Sequence, residues 1–193
     1  GVSVVYLQID YSIDESEYRT FISKANTKGI EVHALDGDPT WVLNDSTIKH
    51  QTRFFDWVGN YQLGAKSTEK FTGMHLDVEP HGLDDFYTKQ NEYIENYQDF
   101  VIYAAAQSHA LGLEVALDIP SWFDTLNYNT SYGTGGLYDW LLTSGVDEMA
   151  IMAFRDIGVG IEAAETEGIY DVSKYELEKA QAEIATLKLK NTE

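Results

Sequence analysis

The chain has 193 residues, 44% of them hydrophobic and 13% aromatic, enough for one domain with its own core and outside the range of disordered chains. Acids outnumber bases by 32 to 13, and a net charge of −19 repels phosphate backbones, so nucleic acid is not an expected partner. There is no cysteine, which excludes disulfides and thiolate metal sites, and no apolar run approaches the roughly 18 residues of a membrane span.

Residues 2–9 (VSVVYLQI) are β-branched and apolar and predict a buried strand ending at Asp10. Residues 14–28 follow as a helix, with acids in the first turn, Tyr18, Phe21, Ile22 and Ala25 at helical spacing, and Gly29 as a stop. A second strand, 30–35, runs into the turn cluster Asp36-Gly37-Asp38-Pro39 and then Trp41. Residues 46–63 predict a helix that turns Phe54, Trp57, Val58 and Tyr61 toward a core. The third strand spans 73–79. A long helix, 83–109, carries Tyr93, Ile94, Tyr97, Phe100, Val101, Ala104 and Ala105 on one stripe and closes at Gly112. The fourth strand, 113–119, places Asp118 near its end; 121–136 is an aromatic and polar loop; 137–143 is a short helix; 146–154 is the fifth strand, followed by Arg155.

Strands alternating with helices define successive βα units on a parallel sheet. The polar residues Asp10, Asp36, Asp77, Glu79, Asp118 and Arg155 all fall at C-terminal strand ends. That polarity is the habit of a TIM barrel, whose active sites gather on that face. An open doubly wound sheet would show a glycine-rich phosphate turn after its first strand, and Gln8-Ile9-Asp10-Tyr11 is no such turn. The expected fold is therefore α/β, a (β/α)8 barrel type in one domain over 1–193, but an incomplete one. Only five strands are clear, and a sixth at 159–164 follows the fifth too closely for a crossover helix. Residues 172–189 predict a charged amphipathic helix.

The chemistry is concentrated at FTGMHLDVEPH, residues 71–81. In an extended segment His75, Asp77 and Glu79 share one face and Met74, Leu76 and Val78 the other. Burying unpaired carboxylates costs several kcal/mol, so a site explains them better than a strand end held by ion pairs. Two carboxylates two residues apart repel, and one is pushed toward the raised pKa that a general acid needs.

Residues 72–79 (TGMHLDVE) resemble the D-G-x-D-x-D-x-E signature of family 18 glycoside hydrolases, the chitinases and endo-β-N-acetylglucosaminidases. Gly73, Asp77 and Glu79 match; Thr72 and His75 replace the first two aspartates. Met152-Ala153-Phe154 is similar to that family's M-x-Y, with Phe154 for the tyrosine and Arg155 where an Asp or Asn follows. Residues 30–39 and 73–81 also resemble uncharacterised barrel proteins related to glycosidases. The resemblance implies glycan hydrolysis with Glu79 as the general acid, while Asp77 helps the substrate's acetamido group act as nucleophile. It further implies that a first barrel strand precedes Gly1, and a secreted or cell-surface protein, with the cytoplasm still open. The N-terminal GVSVVYLQID has no basic n-region, so a secretion signal would be removed or lie outside this sequence.

Beside that pair, His75, Asp118, Arg155, Asp36, Trp41 and Trp122 are the expected sugar contacts, with Tyr132 a further aromatic platform. No cofactor and no bound metal are expected. Two alternatives stand: a non-catalytic barrel that binds carbohydrate or serves as a scaffold, and a metal-dependent hydrolase using His75, Asp77 and Glu79 with His81, Asp118 and His33. Glu162 and Glu165 receive no role, and the oligomeric state is open.

Overall fold

A computed structural model describes residues 1–43 and 48–152. In chain order these form β1 (Val4–Gln8), α1 (Glu15–Asn26), β2 (Glu31–Asp36), α2 (Ile48–Gly64), β3 (Gly73–Leu76), α3 (Gln90–Ala110), β4 (Glu114–Pro120), β5 (Asn127–Thr130), β6 (Gly133–Gly136), α4 (Leu137–Leu141) and β7 (Glu148–Met152). Five strands pair in parallel in the order β1-β2-β3-β4-β7, and the sheet curls into a half-barrel. Among the described residues the full eight-stranded closure is not present. The expected sixth strand at 159–164, the helix at 172–189, and Arg155, Glu162 and Glu165 all lie outside the described residues.

Strand alternation divides the sheet into two unlike faces. Val32, Ala34, Met74, Leu76, Val115, Leu117 and Ile119 are fully buried and share one core with the apolar stripes of the helices. Tyr18, Ile22 and Ala25 supply that stripe on α1, and Phe54, Phe55, Val58 and Tyr61 on α2. All seven stripe residues expected on α3 are buried. Phe21, expected with the α1 stripe, is instead exposed, because it lies one position off the row of Tyr18, Ile22 and Ala25. The opposite, concave face is polar, with Tyr6, Glu31, Glu114 and Glu148 exposed on it.

Two helices end in the same way. Gly29 and Gly112 both take φ 69°, and the following amides close back on the helices, Ile30 N to Ala25 O at 3.1 Å and Leu113 N to Ser108 O at 3.0 Å. This glycine stop reverses the chain into the next strand. Helix α3 starts seven residues later than expected. Residues 80–89 form a 3-10 turn (Pro80–Gly82) and successive turns, and Asp85 accepts from Tyr93 at 2.7 Å and pairs with Lys89 at 2.7 Å. The expected loop 121–136 is a 3-10 turn (Ser121–Thr125) followed by the antiparallel hairpin β5–β6. The hairpin lies along α3: Thr130 Oγ1 donates to the buried Gln98 at 2.7 Å, and the Tyr132 hydroxyl donates to Asp99 at 2.7 Å.

Candidate active site at the ends of β3 and β4

Register decides which side chains meet. Parallel partners point the same way, so the row Leu35, His75, Ala116, Glu148 faces the concave side, and so does the row Tyr6, His33, Gly73, Glu114. Asp118, two residues beyond Ala116, joins that face. His75 is completely buried on it. The Tyr6 ring stacks over its imidazole with centroids 3.7 Å apart, and Asp118 Oδ2 stands 2.8 Å from Nε2, close but without an aligned ring N–H.

Asp77 and Glu79 lie just past the end of β3. The Asp77 amide donates to the Asp36 carbonyl at 3.1 Å, which carries the β3 backbone one step beyond its strand. Gly37 makes room for this: a Cβ there would sit 2.1 Å from the Asp77 carbonyl oxygen. Burial raises the pKa of Asp77, and the Asp118 charge adds to it, with His75 opposing. Glu79 is raised first by burial, then by Asp77 and Asp118. Its side chain is nevertheless 33% exposed, so a substrate can reach it. His81 Nε2 lies 3.5 Å from Glu79 Oε1, and burial holds that imidazole below its usual pKa. Trp122 and Phe123 meet the His81 ring edge-on at 5.3 and 5.9 Å. Buried Tyr97 on α3 registers the same cluster: burial pushes its hydroxyl pKa up, and Asp118, Asp77 and Glu79 push it further. Three carboxylates thus converge at one end of β3 and β4. The Asp77 Oδ1 atom is buried there with no hydrogen-bond partner.

This crowding has a measurable signature. An acid whose pKa is raised on folding gives its greatest support below its unfolded value, and that support falls away as pH rises from there through the folded value. Asp77→Asn removes the charge that burial and Asp118 disfavour. The thermal midpoint of the variant is expected above wild type at pH 7, with the difference vanishing as pH falls through the ordinary carboxylate range, about pH 4. A midpoint lowered at pH 7, or a difference that ignores pH, contradicts the crowded-carboxylate geometry.

The other expected contacts are distributed unevenly. Trp122 is half-buried at the rim beside His81. Asp36 pairs in register with Leu76 and so has the opposite parity to His75. It accepts from the Tyr11 hydroxyl at 2.7 Å in a neighbouring cleft of about 250 Å³, where the Arg53 guanidinium lies 3.7 Å over the Tyr11 ring. Trp41 is 4% exposed and packs against Phe54 and Phe100 in the helical layer, with its residue lining that same cleft. Tyr132 is committed to Asp99 and to Trp140, 5.4 Å away on α4. Asp10 caps its own turn, accepting from Ser12 N at 2.8 Å. Among the described residues His75, Asp77 and Glu79 do not bring three ligand atoms together; the group that does is Glu31, His33 and Glu114.

Sequence reasoning missed Tyr6 and Tyr97. Tyr6 was legible in principle, since alternation along β1 sets it opposite Val5 and Leu7. Tyr97 was assigned to the core stripe, and only the placement of α3 behind β3 and β4 brings its hydroxyl under the carboxylates. No family model matches the chain, and no curated protein or solved structure matches it either.

Proposed function

We propose that the protein is a glycoside hydrolase acting on a glycan or polysaccharide, with Glu79 as the general acid and Asp77 assisting at the sugar. The observation that carries this reading is Glu79 itself: a reachable carboxyl whose pKa is raised by burial and by two neighbouring carboxylates. A glycosidic oxygen leaves as an alcohol only if protonated, and an acid whose pKa is raised keeps that proton to higher pH than an ordinary carboxyl. Asp77 is half-buried, and the part of its carboxylate that is not enclosed can accept from an N–H on the substrate. An acetamido group beside the anomeric carbon offers one, in keeping with the family 18 resemblance. Trp122 with His81 provides an apolar edge at the rim for a sugar ring.

The test is turnover of N-acetylglucosamine-containing oligosaccharides by the 193-residue chain, read as new reducing ends beside a binding measurement on the same glycans. Cleavage is expected, with the rate falling on the alkaline side as Glu79 loses its proton. Binding without cleavage across the set would make the half-barrel a carbohydrate-binding module, with Asp77 and Glu79 as acceptors for sugar hydroxyls.

A further inference from the structure

At the other end of the concave face lies a second group that the proposed reaction does not use. Glu31 opens β2, His33 follows two residues later on the same face, and Glu114 opens β4. The strand between them, β3, contributes Gly73, in register with both His33 and Glu114. The His33 ring occupies the space a side chain would take, since a Cβ on Gly73 would sit 2.6 Å from His33 Cε1. The missing side chain lets β2 and β4 reach each other across β3. One ligand atom from each of Glu31, His33 and Glu114 lies within 4.8 Å of the other two, and His33 Nε2 is 4.0 Å from Glu114 Oε2.

His33 turns this cluster from a pair of surface acids into a site. It is 1% exposed, yet neither ring nitrogen has a hydrogen-bond partner. Leaving a buried polar group unpaired costs about 1–3 kcal/mol, and 4.0 Å is too long for a hydrogen bond to Glu114 to relieve it. A shared ion at about 2.0–2.2 Å from each would bring the two atoms to roughly 3.3–3.6 Å in a tetrahedral site, a few tenths of an ångström closer than they stand. Glu31 and Glu114 are exposed and free to swing inward.

We propose that Glu31, His33 and Glu114 bind a divalent first-row transition-metal ion that ties β2 to β4 across Gly73. One imidazole and two carboxylates suit zinc or manganese, and the donor set lacks the all-oxygen character that favours calcium or magnesium. This departs from the metal-free expectation of the sequence, and it stands apart from Asp77, Glu79 and Asp118.

The test is calorimetric titration of the chelator-treated 193-residue chain with Zn²⁺ in excess Mg²⁺, beside thermal midpoints with and without Zn²⁺. One saturable equivalent and a raised midpoint are expected. Glu31→Gln and Glu114→Gln should each weaken binding at least about tenfold. Both side chains are exposed, so these variants should fold, whereas His33→Gln would repack a buried position. Glu79→Gln and Asp118→Asn should leave the affinity unchanged. No saturable binding, binding that survives both Glu31→Gln and Glu114→Gln, or binding lost on Glu79→Gln or Asp118→Asn each overturns the proposal.

Discussion

Glu79→Gln is expected to lower kcat/KM on an ordinary glycan by about two to four orders of magnitude, the range for a lost general acid. The amide keeps the size of the side chain and takes away the proton that the leaving oxygen requires. On an aryl glycoside with an acidic leaving group the same variant should lose far less, because that group departs with little protonation. Asp77→Asn should behave differently and depress both substrates, since its proposed role is toward the sugar. Steady-state kinetics on the two substrate types separates the roles. Full activity of both variants on a glycan that the wild type cleaves removes both residues from catalysis.

The largest expected effect on folding comes from Gly37→Ala. The new methyl carbon would sit 2.1 Å from the Asp77 carbonyl oxygen and 2.3 Å from its carbon, so backbone and not a flexible side chain must yield. Overpacking of a fixed site costs about 1–3 kcal/mol and sometimes more, and a clash with main chain belongs at the upper end. Any relief has to move Asp77, so the variant should lose activity as well as stability. Gly59→Ala is the matched control. It lies inside α2, where an added Cβ meets only Leu111 at 3.8 Å, an ordinary contact. Alanine there should stabilise by about 0.5–1 kcal/mol through helix propensity. Urea midpoints should therefore move in opposite directions. Equal midpoints for Gly37→Ala and wild type would mean that β2 and β3 do not approach as closely as described.

Sheet and helices were legible wherever burial imposes a period. The α3 stripe from Tyr93 to Ala105 repeats at helical spacing, and β4 is a short apolar run between glycine and proline signals. The site was legible for the opposite reason: His75, Asp77 and Glu79 break an apolar pattern at every second position. What stayed hidden depends on contacts between elements. Asp36 sits at a strand end like the others, but a shift of one residue sends a side chain to the other face, and only the pairing with Leu76 fixes which. Trp41 is aromatic and follows a strand, and nothing in its neighbours says that α2 and α3 close over it. The β6 sequence GTGG has almost no strand propensity. It pairs with β5, which α3 in turn holds through Gln90 on the Asn127 carbonyl and Asn91 on the Asn129 amide.

The order β1-β2-β3-β4-β7 has a kinetic meaning. Among the described residues, every partner in the parallel sheet is the next strand of that sheet along the chain, so none of these five strands waits for a distant segment before it can pair. Loop closure stays short for a parallel sheet, which favours faster folding than a topology with long-range strand exchange. During synthesis from the N-terminus, β1 and β2 can dock while β4 is still unmade, and growth proceeds in one direction across the curl. In that order the repulsion of Asp118 against Asp77 and Glu79 is the last to be added, because it needs β4 in place. A cluster completed that late is expected to show its electrostatic strain chiefly in the unfolding rate, which unfolding kinetics of Asp77→Asn against wild type would read.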